Sequence, residues 1–168
     1  GTNHPRMLST LEQAKRRGAT IVAINPLEEA GLVRFKQPQA LRGLVGRGTA
    51  LADFHLRVRV NGDVAVLQGI AKELLEREAR APGSVLDRQF IELHTDGFEQ
   101  YARSLRGVSW DEIVARGGVP HQELVRTADV LARSQRCITC WGMGITQHRN
   151  AVANIQEIVN LHLLRGQI

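Results

Sequence analysis

The residues with the most chemistry to offer lie near the end of the chain. There Trp141-Gly142-Met143-Gly144-Ile145-Thr146-Gln147-His148 follows Cys137-Ile138-Thr139-Cys140. Gly142 and Gly144 let backbone approach a ligand closely, while Thr146, Gln147 and His148 bring hydroxyl, amide and imidazole groups to what reads as a helix start. A strand, a glycine turn and a helix in succession would hold a phosphate or a ring system, because the free N–H groups of a helix N-terminus favour anions. The spacing matches a dinucleotide-binding turn only in part, since Gln147 stands where a third glycine is usual, and a plain structural turn is the competing reading.

Two other places share this character: Gly1 to Pro5, ahead of a helix, and Asn25-Pro26, after a strand. Asp63 also lies at a strand-to-helix junction. It reads as a helix N-cap, and a carboxylate there is equally suited to accept from the N1 and N2 donors of guanine. Cys137 and Cys140 form a C-x-x-C, but on a strand residues three apart face opposite ways, so both are expected to be buried hydrophobic cysteines rather than metal ligands. The six histidines are scattered. His4 and His148 gain interest from their turns, and His162 reads as a satisfied core or interface residue. No residue is assigned a catalytic or metal-ligating role.

The elements that must position these groups follow from periodicity. Met7, Leu8, Leu11 and Ala14 predict a helix over 5–17, with Pro5 at its start and Gly18 in a left-handed cap. Thr20 to Ile24 reads as a buried parallel strand, 27–52 as a long loop, and Asp53 to Val60 as a strand with Phe54, Leu56, Val58 and Val60 on one side. A helix runs from Asp63 to about Glu78. Helices starting at Asp96, Ser109 and Pro120 make 85–133 a mainly helical insertion. Cys137 to Trp141 is a strand, Gly142-Met143-Gly144 a tight turn, and Thr146 to Leu164 a helix with Val152, Ile155, Val159 and Leu163 aligned. The alternation predicts one α/β domain over 1–168, Rossmann-like and layered, with a mostly parallel sheet that is incomplete within these residues.

The motifs taken together resemble the molybdopterin oxidoreductases, in particular formate dehydrogenase-like α subunits. The carriers are Asn3-His4-Pro5-Arg6, Gly18 to Pro26, Ala52-Asp53, Gly62-Asp63-Val64-Ala65 and Asp87 to Ile91. To these add His94 to Phe98, Trp141 to His148, Asn160-Leu161 and Leu164-Arg165-Gly166, in order over the whole chain. The resemblance implies an internal part of a larger two-electron oxidoreductase carrying molybdenum or tungsten on two molybdopterin guanine dinucleotides. A 4Fe-4S cluster and the metal-ligating residue would lie outside these residues, and the segment would be inactive by itself. By position, Asn3 and His4 would lie by phosphates, Asn25 and Pro26 by the nucleoside, and Asp63 by guanine. Gly142, Met143, Gly144, Gln147 and His148 would lie along the cofactor nearer the pterin. Two departures stand out: Asn25-Pro26-Leu27 replaces a frequent Asp-Pro-Arg, and Gly62 replaces Ser or Thr.

A small-molecule substrate such as formate, the remaining domains of the parent chain and an electron-transfer partner are the partners implied. The charge of +5 and a sequence pI of about 10.0, carried mostly by arginine, suit phosphate as well as nucleic acid. A non-catalytic α/β interaction module, or a helix-turn-helix-like DNA-binding protein built on Ser109 to Pro120 and the helix after it, is therefore the alternative. The preferred reading has no nucleic-acid partner. No apolar run reaches bilayer length, and two cysteines are too few for a disulfide framework, so a cytoplasmic setting is expected.

Overall fold

The computed structural model describes residues 4–36 and 47–168, apart from the side chain of Pro5. It is mostly helical α/β with a small parallel sheet, and it divides into two compact units, residues 1–57 and 58–168. Residues 37–46, part of the expected long loop, fall outside the described residues, as does Asn3.

In the first unit α1 (Pro5–Arg16) ends at Arg17, and Gly18 takes the left-handed conformation expected of it, with φ 89°. Strands β1 (Val22–Ile24) and β2 (Phe54–Leu56) pair in parallel, with Ala23 opposite His55. Asp53 secures the start of the pair: its carboxylate accepts the Ile21 N–H at 2.8 Å and meets Lys15. The strands are shorter than predicted, and β1 is not a buried strand, since only Ala23 is covered and Ile24 is 39% exposed. Two strands give a central strand nothing to lie between. The expected loop carries a short helix α2 (Ala30–Val33) and an antiparallel bridge from Phe35 to Thr49, which bring Phe35 and Leu51 onto Leu8 as a small core. Proline and glycine content hid that packing.

In the second unit a central helix, α3 (Asp63–Arg80), is buried on nearly every face. Around it pack α5 (Phe98–Gly107), α6 (Trp110–Gly117), α7 (His121–Arg133) and α9 (Ala151–Leu164), with α4 (Arg88–His94) against α9. Leu67, Ile70 and Leu74 supply the apolar contacts, as their spacing predicts. Its buried charges are compensated: Glu73 meets Arg77 at 2.8 Å, and Lys72 donates to the Leu105 carbonyl at 3.1 Å. Ser109 caps α6 by accepting the Glu112 N–H at 3.1 Å, and Gly118 ends it with φ 72°. The α5 cap is Gly97, one residue past the expected Asp96, because the left-handed φ of 75° there needs glycine.

One polar cluster sits inside this helical unit. Glu157 on α9 accepts from Gln68 Nε2 at 2.7 Å and from the Tyr101 hydroxyl at 2.6 Å. Burial, reinforced by the Glu157 charge, pushes the Tyr101 phenol above its usual range, so it stays the donor. Tyr101→Phe is expected to cost about 1–2 kcal/mol in urea unfolding, because it strips a donor from a buried carboxylate.

The last third of the chain departs most from expectation. Residues 137–141 form no strand: no described strand lies beside them, and strand-forming composition without a partner makes no ladder. Cys137 is half-buried and Cys140 exposed, so neither is the buried cysteine expected. Gly142 precedes a four-residue helix, α8 (Met143–Thr146), instead of forming a tight turn with Met143 and Gly144. The long helix is broken at 147–150 and resumes at Ala151. Its buried face carries Asn154, Ile158, Leu161 and Leu164, whereas Val152 is 72% exposed, so the predicted stripe is rotated. Polar Asn154 and Glu157 occupy the inward positions, which a count of apolar residues alone misses.

Candidate cofactor-binding site

The predicted residues fall on both units, and each group is described within its own unit. In the first, His4 is the exposed N-cap of α1 and makes no side-chain capping bond. Asn25 follows β1 directly. Its N–H donates to the Leu56 carbonyl at 3.0 Å, which extends the ladder by one bond, and its side-chain amide donates to Glu29 at 3.0 Å. Pro26 then ends the strand for want of a donor. Arg57 is held by Glu28 at 2.6 Å. The turn after β1 is thus braced by acids at 28 and 29, where the resemblance would place a nucleoside.

In the second unit Asp63 is the first helical residue of α3, with Gly62 as the N-cap, which corrects the expected Asp63 cap. Sterics explain the shift. A Cβ at Gly62 would stand 2.8 Å from the Arg116 carbonyl oxygen, 2.9 Å from that of Arg59 and 3.0 Å from Gly117 Cα. Only glycine fits between those backbone segments, which accounts for the departure from Ser or Thr at this position. Gly62→Ser is therefore expected to cost about 1–3 kcal/mol, read as a lowered urea midpoint.

Asp63 is 8% exposed, and among the described residues its carboxylate forms no ion pair within 4.0 Å. Burial raises its pKa above the usual value, while its own backbone N–H and the nearby His148 oppose the rise. The structure therefore brings Asp63 and His148 within electrostatic reach, 85 positions apart in sequence. Gln147 Nε2 lies 3.6 Å from Met143 Sδ, and Met143 is 67% exposed. A Cβ on Gly142 or Gly144 would meet nothing within 4 Å, so packing within this chain does not demand glycine at either position.

Sequence reasoning missed Asn154. It is fully buried, and its Nδ2 donates to the Ile145 carbonyl at 3.3 Å, tying α8 to α9 across the break. The available signal was a polar residue on the inward face of the most apolar run. His162 is satisfied, as expected: Nδ1 lies 3.2 Å from the Gln167 carbonyl and Nε2 lies 2.8 Å from the Thr139 hydroxyl. A carbonyl can only accept, so Nδ1 is the donor to Gln167. The helix pair around Gly118 exists, but Ile113 and Leu124 face the core, so α6 and α7 are walls of a packed unit. A groove lined by Arg88, Ile91, Thr95, Phe98 and Arg103 contains none of the predicted residues. No helix among the described residues is long and apolar enough to cross a membrane.

No protein-family model matches the chain. Individual proteins do. An uncharacterized oxidoreductase of Mycobacterium tuberculosis is 50% identical over all 168 residues, which span 22% of that protein. This chain is homologous to one stretch of the molybdopterin oxidoreductases. Formate dehydrogenase H of Escherichia coli is 24% identical over 99% of the chain and 20% of its own length. A nitrate reductase of Synechocystis is 30% identical over 70% of the chain and 16% of its own length. The fold matches acetylene hydratase from Pelobacter acetylenicus with a TM-score of 0.77 at 17% identity, covering 96% of this chain and 19% of that one. Relatives named for different reactions share this stretch, so the stretch does not specify the substrate.

Proposed function

We propose that these residues hold part of a bis-molybdopterin guanine dinucleotide cofactor in a molybdenum or tungsten oxidoreductase. The observation that carries the reading is Asp63: a buried carboxylate at the start of a long helix, outside any ion pair among the described residues, with His148 close by. Its two oxygens match the N1 and N2 donors of guanine, and burial strengthens such bonds. The donor set fits the group in chemical type. Asp63 would take guanine, and Gly142, Met143, Gly144, Gln147 and His148 would run along the cofactor nearer the pterin. In the first unit, taken by itself, Asn3 and His4 would lie by phosphate, and Asn25 and Pro26 by a nucleoside.

The bound metal supplies two-electron oxidation or reduction. The protein's own part is narrower. Asp63 fixes the guanine end by accepting two hydrogen bonds. Asn154 holds α8 against α9, which fixes the segment that carries Gly142 to Gln147. No residue here performs the redox step. We assign that step, the metal ligand and a 4Fe-4S cluster to other parts of a parent enzyme that works in the cytoplasm, oxidises formate and passes electrons to a partner.

The test is metal, pterin and nucleotide analysis of the full-length parent, purified anaerobically. The proposal expects stoichiometric molybdenum or tungsten with guanine nucleotide, and formate-dependent dye reduction. Well-folded parent protein free of metal and nucleotide would overturn it, and a loaded enzyme inert to formate would overturn the substrate.

A further inference from the structure

Six asparagines occur in the chain, and Asn61 is the one followed by glycine. That pair carries a definite chemistry. The backbone nitrogen of Gly62, with no side chain beside it to obstruct the approach, can attack the carbonyl carbon of the Asn61 side chain. A C–N bond forms, ammonia leaves, and water then opens the cyclic imide to aspartate or isoaspartate. No electrons are exchanged with another group, and water is the sole co-reactant. Asn61 is exposed, and its side chain makes no hydrogen bond among the described residues that would hold it away from this path.

The native turn works against the reaction. Asn61 has φ 66°, a left-handed conformation that asparagine tolerates better than most residues, and the turn around it is closed by the Gly62 N–H donating to the Arg59 carbonyl at 2.7 Å. A nitrogen whose proton is held in that bond is a poor nucleophile, because attack requires the proton to leave. Gly62 is also wedged, with backbone atoms of Arg59, Arg116 and Gly117 within 3.0 Å of where a Cβ would stand, so its peptide cannot swing toward the Asn61 side chain. We propose that Asn61 is a deamidation site of this chain, silent while the turn is closed and reactive once it opens. The damage falls on the element that follows. Isoaspartate adds a methylene to the main chain directly before Gly62, where the surrounding backbone leaves no room, and so displaces Asp63 from the start of α3. This inference does not depend on the cofactor reading.

Peptide mapping by mass spectrometry tests it on the full-length parent, incubated at mildly alkaline pH either folded or in guanidinium chloride. In denaturant Asn61 is expected to convert before the other asparagines of these residues, with isoaspartate as the main product. In the folded protein the conversion is expected to be slower by about tenfold or more, because the closed turn admits reaction only during local opening. On refolding, chains with isoaspartate at 61 are expected to be depleted from the protease-resistant fraction. Asn61→Gly keeps the positive φ and removes the amide, so it is expected to age without this change and to refold fully. Equal rates folded and unfolded would overturn the protection by the turn, and a different asparagine reacting first in denaturant would overturn the site. Isoaspartate shared evenly between protease-resistant and sensitive fractions would overturn the effect on α3. None of these readouts needs bound metal or nucleotide, so failure here and failure of the cofactor reading are separable.

Discussion

Asp63→Asn in the full-length parent is expected to raise the melting temperature of the cofactor-free protein while lowering guanine nucleotide retention on the order of a hundredfold. The second effect follows from two charge-assisted hydrogen bonds, each worth about 1.5–3 kcal/mol, of which asparagine can reproduce at most one. The first follows from the sign of the pKa shift. Burial raises the Asp63 pKa above its usual 3.8, so the folded state binds the proton more tightly than the unfolded chain does. Stability therefore falls as pH rises from that value through the folded pKa, and at neutral pH the ionised group is a net cost of folding. A neutral isostere removes that cost. If Asp63 served only the helix start, the same change would forfeit about 0.3–1 kcal/mol of favourable interaction with the helix dipole and leave nucleotide content unchanged. The two roles thus move stability and nucleotide content in different directions, and calorimetry with nucleotide extraction on one variant distinguishes them.

The contrast between what sequence pattern revealed and what it hid has a physical basis. Helices over 5–16, 63–80 and 98–133 were legible because each combines apolar spacing with a punctuating residue, such as Gly18, Ser109 or Gly118, whose backbone or side chain enforces a boundary. The 137–141 strand was mispredicted as an element of this chain because β-propensity reports a surface that wants a neighbour, not the neighbour itself. The rotated face of α9 was illegible for a different reason. Asn154 and Glu157 point inward because Ile145, Gln68 and Tyr101 supply partners from distant positions, and pairing of that kind leaves no periodic trace. Among the candidate site residues, the nearness of Asp63 and His148 was foretold by neither spacing nor resemblance, because residues 85 positions apart leave no local trace. The Gly62 departure, unexplained by motif, became intelligible once Arg59, Arg116 and Gly117 were seen to crowd it.

Glu78→Gln is expected to destabilise the protein by about 3 kcal/mol at neutral pH, the largest stability effect of any single substitution considered. Glu78 is 2% exposed near the end of α3, and its carboxylate gathers the turn that follows. It accepts the N–H groups of Gly83 at 2.9 Å and of Val85 and Leu86 at 3.1 Å, and it meets Arg88 Nε at 3.1 Å. Burial alone would raise its pKa, but these donors outweigh burial and lower it from 4.5 to about 2. Glutamine keeps the shape but turns an NH2 toward N–H donors and leaves Arg88 without a counter-charge. Because the folded pKa is depressed, the stabilisation is fully present above 4.5 and is lost as pH falls toward 2. Urea unfolding of both proteins at pH about 7 and about 3 should therefore show the gap between them shrinking by roughly half at the lower pH. An equal gap at both values would mean that shape, rather than charge, holds the turn. A closed gap at neutral pH would show that the turn finds other acceptors once the carboxylate is gone.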